Sequence, residues 1–252
     1  MKALLINTDF FPWGQRNEYY MGGDDYYKMN FLPLTAEEYA AFCYVAFRAG
    51  GNAQTNLYMP CLANDFKRKL GTVETLLTTV EKKMWDDEWG MSLKKISSSW
   101  GKLKVPFTSY EIIGGFDPQY SEFGYPYCTE LKAEKYFRLE EFCRSSGIAM
   151  ANSLWVYQAL KTSLTVTRYS IHDVVYGGST SFVALKKMTG FSQKMCKGCL
   201  QILTDCGLVV KEFSEGKDAF VYALSGNSND LLTVKEAVES NAITVDTNSI
   251  KE

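Results

Sequence analysis

The sequence predicts a mainly α-helical α+β protein made of two modules, each a run of helices closed by a pair of short strands. Three observations carry this reading. Apolar residues recur at helical spacing in separate blocks between Thr35 and Met84, and again between Leu131 and Cys206. Each series gives way to two β-rich runs, 91–96 with 103–113 and 208–213 with 219–224. Between the two series, 114–129 holds Pro118, Gly124 and Pro126 among aromatic residues and reads as a connection. The predicted organisation is an aromatic N-terminal segment (1–34), a first module (35–113), a linker and connecting helix (114–148), a second module (149–225) and an acidic tail (226–252).

In the first module Thr35 and Glu38 form a capping box, and Tyr39, Phe42, Cys43, Ala46 and Phe47 follow at helical spacing until Gly50 and Gly51. A second helix is expected over 61–70 with its stop at Gly71. Thr72 is expected to cap a third, whose Val73, Leu76, Leu77, Val80 and Met84 make one face. The two strands then flank Ser97 to Gly101.

Helices are next expected over 131–143 and over 152–163, the latter capped by Asn152. Gly177 and Gly178 before Ser179 and Thr180 read as a glycine turn entering a helix through a hydroxyl cap. Phe182, Val183, Leu185 and Met188 make a short helix closed by Gly190. Ser192 caps its successor, and Gly207 stands where a left-handed residue ends it. The strands 208–213 and 219–224 are joined by Ser214 to Asp218, and a short helix over 230–240 precedes a frayed end.

Composition excludes several classes. With 46% hydrophobic, 22% charged and 14% aromatic residues, the chain is of the globular kind. Its apolar runs are too short for a membrane span, and the N-terminal run from Ala3 to Ile6 is too short for a secretory signal. Seven cysteines at irregular spacing suit reduced thiols, so a cytoplasmic location is expected. The net charge of −2 means that contact with nucleic acid requires a local basic patch.

From Thr180 to Gly226 the order is short helix, Gly190 turn, Ser192-capped helix, Gly207–Leu208 exit and hairpin, and this resembles the winged helix-turn-helix superfamily. The stretch 35–113 matches the same pattern more loosely. Two winged helix-turn-helix modules in tandem resemble the architecture of plasmid and phage replication initiators. The resemblance implies a non-enzymatic, double-stranded DNA-binding protein acting in replication initiation or transcription regulation. A second copy of the chain and a replisome or transcription protein are further partners it implies. The alternative kept open is a winged-helix module that binds another protein.

In such a motif the second helix enters the major groove. Here its outward residues are Gln193, Lys194, Lys197, Gly198 and Gln201, with no acid before Asp205. Glutamine suits adenine, and lysine suits guanine or phosphate. Lys186 and Lys187 on the preceding helix and Lys217 at the wing tip add expected phosphate contacts. The third helix of the first module exposes Glu74, Thr75, Thr78, Glu81 and Lys82, a poor match for phosphate. Its wing carries Lys94, Lys95, Lys102 and Lys104 and is the better candidate there.

No enzyme, cofactor or metal is expected. Cys196 and Cys199 have the spacing of half a zinc knuckle, but no second such pair exists and His172 is the one histidine. Both cysteines fall on inward helical positions, where free cysteine packs well. His172–Asp173 lacks a nucleophile motif, Asp24 and Asp25 read as a solvated loop, and no phosphate-binding loop is present.

Overall fold

The computed structural model describes residues 3–7, 10–13, 19–20, 26–27, 33–49, 54–84, 92–96, 107–113, 128–144, 147–163, 165–168, 174–215 and 219–240. Eight helices and small antiparallel sheets make up these residues, a mainly helical α+β arrangement. The chain divides into two compact units, Met1–Asn152 and Ser153–Glu252.

In the first unit, β1 (Ala3–Asn7) pairs antiparallel with β7 (Cys128–Lys132), and two two-residue strands, β2 (Tyr19–Tyr20) and β3 (Tyr26–Tyr27), pair with each other. The helix α1 (Ala36–Ala49) opens on the expected capping box: the Thr35 amide donates to Glu38 Oε2 at 2.7 Å, and the Glu38 amide to Thr35 Oγ1 at 3.3 Å. The Lys83 ammonium also reaches Glu38 Oε2 at 2.7 Å, tying the start of α1 to the end of α3. Residues 39–47 of α1 are buried on every side, beyond the single apolar face that the sequence suggested. The cause is its central place, with Phe11 edge-on to Tyr39 and Phe47 stacked on Tyr136.

After α1 comes a strand that the sequence did not reveal, β4 (Gln54–Tyr58). The helices α2 (Met59–Asp65) and α3 (Leu70–Lys83) follow, then β5 (Ser92–Ile96) and β6 (Phe107–Ile113). The sheet order is β4-β6-β5, all antiparallel. Two expectations are corrected. The second helix stops before Lys67, which takes the left-handed conformation (φ 49°) usually left to glycine, and Gly71 lies inside α3. Thr72 is not a cap, since α3 begins at Leu70 after Lys69, which makes no side-chain capping bond.

The predicted linker ends earlier than Thr129, because β7 begins at Cys128, and α4 (Ala133–Phe142) starts after that strand. Residues 114–127 lie outside the described set. The helix α5 (Gly147–Thr162) begins well before Asn152, which is an interior residue and not its cap.

The second unit follows a related order, with a pair of strands where the first unit has the single strand β4 between its helix and its helix pair. After α5 come β8 (Thr165–Arg168), β9 (Val174–Thr180), α6 (Phe182–Thr189), α7 (Gln193–Asp205), β10 (Val210–Ser214) and β11 (Ala219–Ala223). The sheet order is β10-β11-β9-β8; in both units the strand before the helix pair joins the second strand after it, β4 to β6 and β9 to β11. A final helix, α8 (Ser228–Glu239), packs Leu231, Val234, Ala237 and Val238 on Val221 and Ala223 of the sheet.

Gly177 and Gly178 lie within β9 and are not a turn. The reason is space: a Cβ at Gly177 would lie 2.5 Å from the Tyr222 carbonyl oxygen and 2.5 Å from Val234 Cγ2. The hydroxyl cap of α6 is Ser181, whose Oγ accepts from the Ala184 amide at 3.1 Å. Replacing Gly177 with Ala must push α8 off the sheet, and is expected to cost about 1–3 kcal/mol in urea denaturation. Wild-type stability in Gly177→Ala would show that α8 is not seated on β9 in this way.

Candidate nucleic-acid interface

The α6–α7 pair is built from local rules. Gly190 closes α6 in the left-handed conformation (φ 73°), its amide donating to the Lys186 carbonyl at 3.0 Å. Ser192 Oγ accepts from the Met195 amide at 3.2 Å and so caps α7, and Gly207 (φ 70°) follows the end of that helix.

Thr189 locks the turn. Its hydroxyl donates to the Leu185 carbonyl at 2.6 Å and accepts from the Phe191 amide at 3.2 Å, and it lies 3.7 Å from Cys196 Sγ. Its own carbonyl accepts from the Trp155 indole at 3.4 Å. One buried residue thereby joins α5, α6, the turn and α7.

On α7, Cys196, Cys199, Leu200 and Leu203 are buried, as expected, and Cys206 beyond its end is buried too. Gln193, Lys194, Lys197, Gly198 and Gln201 are exposed, so the structure brings these predicted site residues together on one outward face. Gln201 Nε2 donates to Asp205 Oδ1 at 2.7 Å, which ties that amide to the far end of the helix. Lys186 and Lys187 are exposed on α6.

Two contributors were missed in the sequence. The Lys197 ammonium lies 5.1 Å from the ring centroid of Phe182, and this cation–π contact restrains its long side chain. Phe182 in turn packs on Phe220 of β11. Met195 is the second, an apolar side chain exposed at the leading turn of α7. Its signal was its position, three residues after Ser192 and outside the buried stripe.

Charge at the helix start sets this pair apart from α1, α4 and α8. Carboxylates stand in the first turns of α1 (Glu37, Glu38), α4 (Glu134) and α8 (Asp230), where they offset the positive end of the helix dipole. The first turns of α6 and α7 hold none, like those of α2, α3 and α5, and α7 has Lys194 there. A positive helix end with an added lysine is suited to an anion.

The corresponding helix of the first unit, α3, differs. Glu74, Thr75 and Thr78 are exposed, Lys82 likewise, while Glu81 is half-buried. Three threonines turn their hydroxyls back on the helix: Thr75 donates to the Gly71 carbonyl, Thr78 to Glu74 and Thr79 to Thr75, at 2.9–3.0 Å. Lys94 and Lys95 lie on β5, in register with Glu111 and Tyr110. Lys102, Lys104 and Lys217 lie outside the described residues, as do Asp24, Asp25, His172 and Asp173.

Among the described residues no group of three or more His, Cys, Asp or Glu side chains could hold a metal ion, and no helix is long and apolar enough to cross a membrane. Burial pushes the Cys199 thiol up to about 11, with the neighbouring Cys196 adding to the rise. No family model, curated protein or solved structure matches the chain.

Two outcomes are expected. At pH 8 roughly a thousandth of Cys199 is thiolate, so iodoacetamide should leave it unmodified in the native protein and label it after unfolding; fast native labelling, read by peptide mass spectrometry, would contradict its buried placement. Thr189→Val strips the hydroxyl at nearly constant shape and should cost about 1–3 kcal/mol in thermal or urea unfolding, because the Phe191 amide loses its acceptor.

Proposed function

We propose that the chain is a non-enzymatic, double-stranded DNA-binding protein in which each unit carries a winged helix-turn-helix. In both units a helix pair is followed by two antiparallel strands, the second of which pairs with the strand just before the helix pair, and this supports the winged-helix reading of both units. The observation that carries the function is the outward face of α7: two lysines and two glutamines, no carboxylate before Asp205, and a capped, positive leading end. In the proposed complex α7 lies in the major groove, with Gln193 and Lys194 at base edges. Lys197, Lys186 and Lys187 meet phosphates, and Lys217 does so from the wing.

The lysines of the first wing, Lys94, Lys95, Lys102 and Lys104, supply backbone contacts in the same reading. Replication initiation and transcription regulation, on a phage or plasmid replicon, both use such a protein. A second copy of the chain is a natural partner where the target site is repeated.

One observation favours a second reading, in which a winged helix serves as a protein-docking module. The outer face of α3 offers methyl groups and Glu74 where a DNA-reading helix needs donors. The first unit would then bind a replisome or transcription protein.

Fluorescence anisotropy with random duplex DNA over a salt series tests the main reading. Affinity is expected to fall steeply with salt. Lys194→Glu with Lys197→Glu should weaken binding more than tenfold and flatten the log–log salt slope by about 2, with unfolding unchanged. Absence of binding at low salt would favour the protein-docking reading, and unchanged binding by the double variant would remove the site from α7.

A further inference from the structure

The leading turn of α7 carries an apolar side chain among polar ones. Gln193 and Lys194 are polar and exposed, but Met195 beside them is 43% exposed, while its backbone is fixed by the Ser192 cap. Three residues on, and therefore on the same side of the helix, stands Gly198, where a Cβ would meet nothing within 4 Å. Packing does not call for glycine there, and in a helix interior it costs about 1 kcal/mol relative to alanine. An apolar, adaptable thioether thus borders a gap on the outward side of the helix.

The major groove of B-DNA presents donors and acceptors on every base, and one apolar group, the C5-methyl of thymine. We propose that Met195 contacts a thymine methyl, with the Gly198 gap admitting the base edge, so that Met195 determines specificity at an A·T pair. This rests on the DNA-binding reading above. Lys194 and Lys197 anchor the helix without reading sequence at that pair, and Met195 supplies discrimination without charge.

The test starts from the full chain and a pool of random duplexes. From the best-bound sequence, each thymine is replaced singly by uracil, which removes only the methyl group. For the wild type, one thymine should show a loss of about fourfold, the worth of one buried methyl-sized group. Met195→Ala should lose a similar factor on the thymine duplex and be indifferent to uracil at that position, whereas Met195→Leu should keep most of the discrimination. Thermal unfolding of both variants, measured beside binding, separates a lost DNA contact from a lost fold. Salt-sensitive duplex binding without a methyl-sensitive thymine, or with one whose penalty persists in Met195→Ala, overturns this inference and leaves the proposed function standing. No duplex binding at all overturns both.

Discussion

The angle between α6 and α7 depends on Thr189, a small buried residue that spends every polar atom of its side chain and its carbonyl on a different neighbour. It closes α6 through Leu185, holds the turn through Phe191, touches α7 at Cys196 and receives the Trp155 indole from α5. Buried polar groups are tolerated only when paired, and a hub with all of its pairs made is stiff. Once the angle is set, the inner stripe of Cys196, Cys199, Leu200 and Leu203 decides what faces outward. The lysine and glutamine face follows from the rotation of α7 about its axis, which the buried stripe dictates.

Charge is used differently around α1 and around the α6–α7 pair. Glu38 caps α1 and binds Lys83 from α3, so charge there is consumed in holding the unit together. Arg48 is likewise spent internally, over the Tyr44 ring and bonded to Glu140 at 2.8 Å. In the second unit Lys186, Lys187, Lys194 and Lys197 are exposed on α6 and α7, with the Phe182 ring beneath Lys197. A near-neutral chain can therefore carry one local positive surface without a basic composition.

What could be read in the sequence was what is decided within a few residues. The capping box of α1, the Gly190 turn, the Ser192 cap, Gly207 and the strand runs that became β10 and β11 are each fixed by neighbours in the chain. The residues of the α7 face followed from its period alone. What escaped was decided at a distance. β4 has the weak pattern of Gln-Thr-Asn-Leu-Tyr and exists through pairing with β6. β1 finds β7 across more than a hundred residues, and Gly177 is glycine because of α8 rather than because of a turn. Lys67 in the left-handed region and Lys69 at the start of α3 show helix ends without their preferred residues, which propensity cannot foresee. Phe182 beneath Lys197 was missed because a cation–π pair leaves no spacing rule.

The seating of α8 bears on the order in which the second unit is made. Val221 and Ala223 face Val234, Ala237 and Val238, which are synthesised after every strand of the sheet. While the chain is still being translated, β9, β10 and β11 have one face supported by the earlier helices and the other bare. The sheet reaches its final packing only once residues 231–238 are available to cover it, so a chain released after truncation within 226–234 exposes an apolar sheet face to chaperones and proteases.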